Sequence, residues 1–190
     1  MADRTPKQIA FDLEARLASR EGVEKLARAV KTTLGPVGSN AVIDRGWGEP
    51  IITKDGASVA DEVDLIDPYE NMAAKLVREA AEKTSNEAGD GSTTATVLAE
   101  SIYLRGLKNV IGGMNSMILS RGIRVAVDKA LESLEELSTP VRSKDQVVHL
   151  ATVAANLDRQ IGERIADAFE SVGEDGVITI EEGQEIETQV

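Results

Sequence analysis

Asp67-Pro68-Tyr69-Glu70 announces a helix in three ways at once: an acid able to cap, a proline at the first helical position, and Glu at N3 as in a capping box. Behind it Tyr69, Met72, Ala73, Leu76, Val77 and Ala80 recur at helical spacing, which predicts a long helix with one apolar stripe. Upstream, Val23, Leu26, Ala27 and Val30 repeat the pattern in a helix predicted from Gln8 to about Lys31. Downstream, Val97, Leu98, Ile102, Tyr103, Leu104, Leu107, Val110 and Ile111 leave little polar face, so this helix is predicted to be buried among others. Gly112-Gly113 ends it, and Asn115 stands where it can cap the next. That helix sets Ile123, Ala126, Val127, Ala130, Leu131, Leu134 and Leu137 opposite Asp128, Lys129, Glu132, Glu135 and Glu136. Aromatic residues are only 3% of the chain, so its core must be built from Ala, Val, Leu and Ile, which suits closely packed helices.

Between the first two helices, Leu34-Gly35-Pro36-Val37-Gly38 is a stop signal. Ala41–Asp44 and Pro50–Thr53 read as two short strands joined through Arg45-Gly46-Trp47-Gly48. Ser138-Thr139-Pro140 reads as a boundary. Beyond it, Ser143 and Gln146 form a second capping box ahead of Val147, Leu150, Ala151 and Ala154. A further helix carries Ile161, Ile165, Ala168, Phe169 and Val172. A last hairpin is expected from Gly176–Ile180 and Glu185–Val190, and its second strand runs to the final residue without a turn or cap. The expectation is that the polypeptide was cut from something longer.

The net charge of -12, from 33 acidic and 21 basic residues, argues against a nucleic-acid binder and against an anionic membrane surface. A polyanionic ligand would have to be held by backbone dipoles and bound cations. There are no cysteines, so disulfide and thiolate chemistry are excluded. No apolar run is long enough for a transmembrane helix, and the first residues carry an early acid and no apolar signal core. A cytoplasmic protein is expected.

Three segments have the character of ligand loops. In Gly89-Asp90-Gly91-Ser92-Thr93-Thr94-Ala95-Thr96, a carboxylate lies between two glycines and a hydroxyl run opens a helix. Unpaired first-turn amides and the macrodipole favour an anion there, and Asp90 can hold a hard cation such as Mg²⁺ against phosphate oxygens. The competing reading is an Asp N-cap on an ordinary helix. Thr53-Lys54-Asp55-Gly56 follows a strand and puts a Lys for phosphate beside an Asp for water or metal; the alternative is a solvated turn with an N-cap. Thr33-Leu34-Gly35-Pro36 exposes carbonyls at a helix C-terminus, which also serves as a simple structural stop. No Walker-type G-x-x-x-x-G-K-[ST] or dinucleotide G-x-G-x-x-G pattern is present. His149, the single histidine, has no partners for a triad or zinc site.

Together, Val30–Gly38, Ile52–Ala60, Glu70–Ala74, Ala88–Ala99 and Gly173–Ile180 resemble, in one register, the amino-terminal part of a group I chaperonin of the GroEL type. The resemblance implies a mainly α fold: a chaperonin equatorial-domain helical bundle with a small β-hairpin, plus the first half of an α/β intermediate domain. It implies an equatorial ATP-binding part over residues 1–137 and the first part of the hinge domain over 138–190, with the apical and carboxy-terminal parts absent. It also implies that Thr33, Leu34, Gly35 and Pro36 line the nucleotide and that backbone oxygens near Thr33 and Lys54 hold K⁺. Asp90 would ligate Mg²⁺, Gly91, Ser92, Thr93 and Thr94 would bind the phosphates of ATP or ADP, and Asp55 would help place the attacking water. Ser92 stands where the family commonly has Thr and keeps the hydroxyl. Ser39, Ser116 and Leu157 also depart from the usual residues.

The function implied is that of an ATPase chaperone. The full-length subunit would form heptameric rings, stacked as a double ring, with a GroES-type co-chaperonin and unfolded polypeptides as partners. The 190-residue chain alone is expected to be inactive. Two other classes remain open from the residues themselves: an isolated Mg²⁺-dependent phosphohydrolase or phosphotransfer domain using Asp55 and Asp90, and a structural assembly module without a nucleotide site.

Overall fold

A computed structural model describes residues 8–35, 38–46, 48–173 and 176–179. Among them the element order is α1 (Asp12–Lys31), β1 (Ala41–Ile43), β2 (Ile51–Thr53), α2 (Gly56–Asp61), α3 (Pro68–Ala88), α4 (Ser92–Ile111), α5 (Ser116–Leu137), α6 (Lys144–Ala154) and α7 (Arg159–Val172). The described residues are mainly helical, with one two-stranded sheet among them. The residues form two compact units, 1–124 and 125–190, with the boundary inside α5.

In the first unit, α1 starts at Asp12, later than Gln8, and ends at Lys31 as expected. Its predicted face is the buried one: Val23, Leu26, Ala27 and Val30 are all shielded from solvent. Burying side chains such as Leu26 and Val30 contributes about 1.5–3 kcal/mol each. α1 packs on α3 and α4. Gly22 makes the α3 contact possible. A Cβ there would come within 2.7 Å of the Glu70 carbonyl carbon, so no larger residue fits between the two backbones. Lys25 then reaches Glu70 at 2.5 Å.

This close approach explains why the stripe expected on α3 is displaced. The buried residues are Ala73, Ala74, Val77 and Ala81, whereas Met72 and Leu76 are exposed. Small residues face α1 because the backbones are close; the larger ones look outward. Asp67 caps α3 through the amides of Tyr69 and Glu70, with Pro68 at the first position. The capping box is only half formed, since the Glu70 carboxylate is bound to Lys25.

β1 and β2 pair antiparallel with Ala41 opposite Thr53 and Ile43 opposite Ile51, the hairpin read from the sequence. Trp47 in its turn lies outside the described residues. α4 departs from expectation: only Ser92 and Thr96 are buried, and Leu98 and Ile102 are exposed. α1, α2 and α3 contact α4: its fully buried residues lie at the polar start, and of its apolar residues Ala99 and Tyr103 pack half-buried against the core. Asn115 caps α5 through the Met117 and Ile118 amides, as read. α5 fully buries none of its residues; Leu119, beside Gly106 of α4, and Ile123 are half-buried.

In the second unit, α6 and α7 pack together. The Ser143–Gln146 capping box is present in both directions. The buried residues of α7 are Gly162 and Ala166, while Ile161, Phe169 and Val172 are exposed, so here too the expected large-residue stripe is displaced by small ones. A Cβ on Gly162 would come within 2.8 Å of the Thr152 amide nitrogen. Lys144 lies 2.7 Å from Asp167 and 2.6 Å from Glu170, and hydrogen bonds to these carboxylates hold its ammonium well above the usual lysine range. Gly176–Thr179 carry no ladder, and the second strand expected over Glu185–Val190 lies outside the described residues.

Candidate functional site

All three ligand loops belong to the first unit, and two of their residues meet at Thr93. The first comes from the C-terminus of α1. Thr33 is buried, and its hydroxyl donates to the Val30 carbonyl at 2.8 Å, closing the helix. That bond uses Thr33's one hydroxyl proton. In the 3.4 Å approach between the Thr33 and Thr93 hydroxyl oxygens, Thr93 is therefore the donor. The distance is long for a hydroxyl pair, so the bond is weak and easily exchanged for a better acceptor. Leu34 is exposed and Gly35 turns the chain with φ of 72°. Pro36, the last residue of this candidate loop, lies outside the described residues.

The second loop leaves β2 at Thr53. The Asp55 amide donates to the Thr53 hydroxyl at 3.1 Å, and Lys54 is half-buried between them. Asp55 is the N-cap of α2: its Oδ2 accepts from both the amide and the hydroxyl of Ser58, each at 2.7 Å. Burial acts to raise the Asp55 pKa. The hydrogen bonds from Ser58 and the Ala57 amide outweigh it and hold the carboxyl below its ordinary value of 3.8. This cap was the structural alternative for the segment, and it is realised; it engages one carboxylate oxygen. The next residue, Gly56, is buried against the third loop, where a Cβ would overlap the Thr93 hydroxyl and sit 3.1 Å from Thr93 Cβ.

The third loop joins α3 to α4. Gly89 ends α3 at φ 73° and Gly91 precedes α4 at φ 90°, left-handed conformations that glycine adopts without the usual steric cost. Here the Asp N-cap reading fails. The N-cap is Gly91 and makes no side-chain cap; Asp90, one residue earlier, is exposed, and its Oδ1 accepts the Gly91 amide at 2.6 Å. Ser92 is buried, Thr93 half-buried and Thr94 exposed in the first helical turn. The Thr96 hydroxyl, fully buried, donates to the Ser92 carbonyl at 3.0 Å and ties down that turn.

Thr33, Gly56 and Thr93 are thus drawn together from three separate segments, with Asp55 immediately beside Gly56. Gly56 and Ser58 were part of the motif but were not singled out for the site. The signal for Ser58 is its place three residues after Asp55, where an N-cap carboxylate finds its amide donor. Among the described residues there is no group of three or more Asp, Glu, His or Cys side chains arranged to hold a metal. A cation at Asp90 would therefore need oxygens from a bound phosphate or water to complete its shell, which is how Mg²⁺ is usually held.

Residues 26–190 match the TCP-1/cpn60 chaperonin family model. The chain is 55% identical over 186 residues to chaperonin GroEL 1 of Rhodopirellula baltica, an alignment covering 97% of this chain and 33% of that protein. It thus spans about a third of that relative's length. Among solved structures, a group III chaperonin in the open state superposes with a TM-score of 0.71 at 28% identity, over 85% of this chain and 32% of that one. Chaperonin gp146 from bacteriophage EL 2 (Pseudomonas aeruginosa), crystallised in the presence of ATP-BeFx, gives a TM-score of 0.72 over 86% of this chain and 29% of that one. At 23% identity this likeness shows the fold alone. The chain belongs to the TCP-1/cpn60 chaperonin family.

Proposed function

We propose that the three loops form part of a Mg²⁺·ATP site and that the full-length gene product is an ATP-driven folding chaperone. The observation that carries this reading is the convergence at Thr93. A helix N-terminus without a side-chain cap is packed directly against Gly56 and against the end of α1. The first-turn amides and hydroxyls of Ser92, Thr93 and Thr94, with Gly91, would bind the phosphates. Thr93 would exchange its weak bond to Thr33 for a phosphate oxygen. Asp90, exposed and carrying a single amide bond, would take Mg²⁺, which when bound offsets phosphate charge. Thr33, Leu34, Gly35 and Pro36 would line the nucleotide, with backbone oxygens of Thr33 and Lys54 facing K⁺. Asp55 would orient water through the oxygen that Ser58 leaves uncommitted.

In the assembled protein the domain division would fall near Leu137, with the ATP-binding part before it and the hinge after it. Ring assembly, a GroES-type co-chaperonin, unfolded polypeptides as clients and a cytoplasmic location are part of the same proposal, and family membership supports it. An acidic chain that neutralises ATP with cations and helix-terminal amides accords with this reading.

The test is titration of ADP with Mg²⁺ into the full-length protein carrying Thr93→Val and Thr94→Val, which remove two hydroxyls at nearly constant volume. Affinity should fall by about tenfold, the worth of a hydrogen bond to a charged group. Unchanged affinity would mean that the hydroxyl run only opens the helix.

A further inference from the structure

We propose that Ser58 is a positioning residue for Asp55, fixing which carboxylate oxygen faces the reacting phosphate; the inference rests on the proposed nucleotide site. The geometry is specific. Ser58 donates twice to the same oxygen, Oδ2, once from its amide and once from its hydroxyl, each at 2.7 Å. Two donors on one oxygen set the carboxylate plane, and neither Ser58 bond engages Oδ1. A cap by the amide alone satisfies α2; the hydroxyl bond is additional and restricts rotation of the carboxylate. Gly56 lies next to Asp55 and against Thr93, so the orientation that Ser58 sets is defined relative to the proposed phosphate loop.

The same bonds keep Asp55 ionised. Against burial, which acts to raise its pKa, the Ser58 amide and hydroxyl and the Ala57 amide lower it. Of the charged side chains around α2, Lys31 of α1 pairs with Glu100 of α4, Arg78 of α3 with Asp64 and Arg45 with Glu62, while Glu82 of α3 meets Asp61 of α2. Lys54 precedes Asp55 on the same loop. Ser58 therefore makes Asp55 a fixed, weakly basic acceptor, suited to holding a water or a hydrated cation in place more than to removing a proton outright.

The experiment compares kcat and KM for ATP turnover by the full-length protein as wild type, Ser58→Ala, Ser58→Thr and Asp55→Asn. Ser58 is exposed and its amide survives in both Ser58 variants, so the α2 cap remains. Ser58→Ala should lower kcat by about tenfold with KM nearly unchanged, since misplacing a reacting group acts on the chemical step. Ser58→Thr should restore kcat. Wild-type kcat in Ser58→Ala, alongside an inactive Asp55→Asn, would overturn the role of Ser58 while leaving the nucleotide reading intact. Full turnover by Asp55→Asn would overturn both.

Discussion

Gly56 lies so close to Thr93 that a methyl group on its Cα would overlap the Thr93 hydroxyl. The contact joins the loop bearing Asp55 to the helix start that follows Asp90, two segments that α2 and α3 separate in sequence. Gly56→Ala should destabilise the protein by about 1–3 kcal/mol, the usual cost of overpacking a close contact, and should weaken binding of Mg²⁺·ADP. Thr93→Ala removes the overlapping oxygen, so the two substitutions should couple: Gly56→Ala costs less in the Thr93→Ala background. A double-mutant cycle by denaturant unfolding gives the coupling directly, and strict additivity would show that the contact is unimportant.

A second glycine contact has an opposite sign from intrinsic helix preference. Alanine in a helix interior is normally favoured over glycine by about 0.8–1 kcal/mol. At Gly22 the neighbour is the backbone of Glu70, with its Cα within 2.9 Å of an added Cβ, and backbone cannot rotate away. Gly22→Ala should therefore destabilise by about 1–3 kcal/mol. Stabilisation on urea unfolding would mean that α1 and α3 stand further apart.

Leu157 follows α6 with φ of 71° and is exposed, so a side chain that buries nothing holds a left-handed conformation. That conformation costs a non-glycine residue about 1–2 kcal/mol. Leu157→Gly removes the strain at some cost in chain entropy, and a net gain of about 0.5–1 kcal/mol is expected. A lower thermal midpoint for the variant would contradict it.

Met117, Ile118, Val125, Leu131, Leu134 and Leu137 are all exposed along α5. An uncovered apolar face of this kind favours association. The 190-residue chain should sediment with a mass that rises with concentration. A single monomeric species at all concentrations would argue that this face is tolerated in water.

The sequence was legible where large side chains carry the packing. Val23, Leu26, Ala27 and Val30 mark the α1 face because period and bulk coincide. It misled where helices touch through small residues. On α3 the buried side is Ala73, Ala74, Val77 and Ala81, opposite Gly22, and a pattern search weighted toward Met72 and Leu76 finds the wrong stripe. The apolar content of α4 and α5 likewise shows what those faces require, not what covers them. For the candidate site, motif order brought Thr33, Asp55, Asp90 and Thr93 forward. The facing of Gly56 on Thr93 and the double bond of Ser58 to one oxygen are tertiary facts without a sequence period.

The central claim is that Asp90 and the start of α4 hold a nucleotide through Mg²⁺, and isothermal titration of ADP into the full-length Asp90→Ala variant, with and without Mg²⁺, tests it most directly. The carboxylate is exposed and accepts the neighbouring Gly91 amide, a local bond outside the helices, so the helical circular dichroism should match wild type. The account predicts that the Mg²⁺-dependent part of the affinity is lost, a weakening of about tenfold or more for one charged ligand group. A variant that binds Mg²⁺·ADP as tightly as wild type would contradict it.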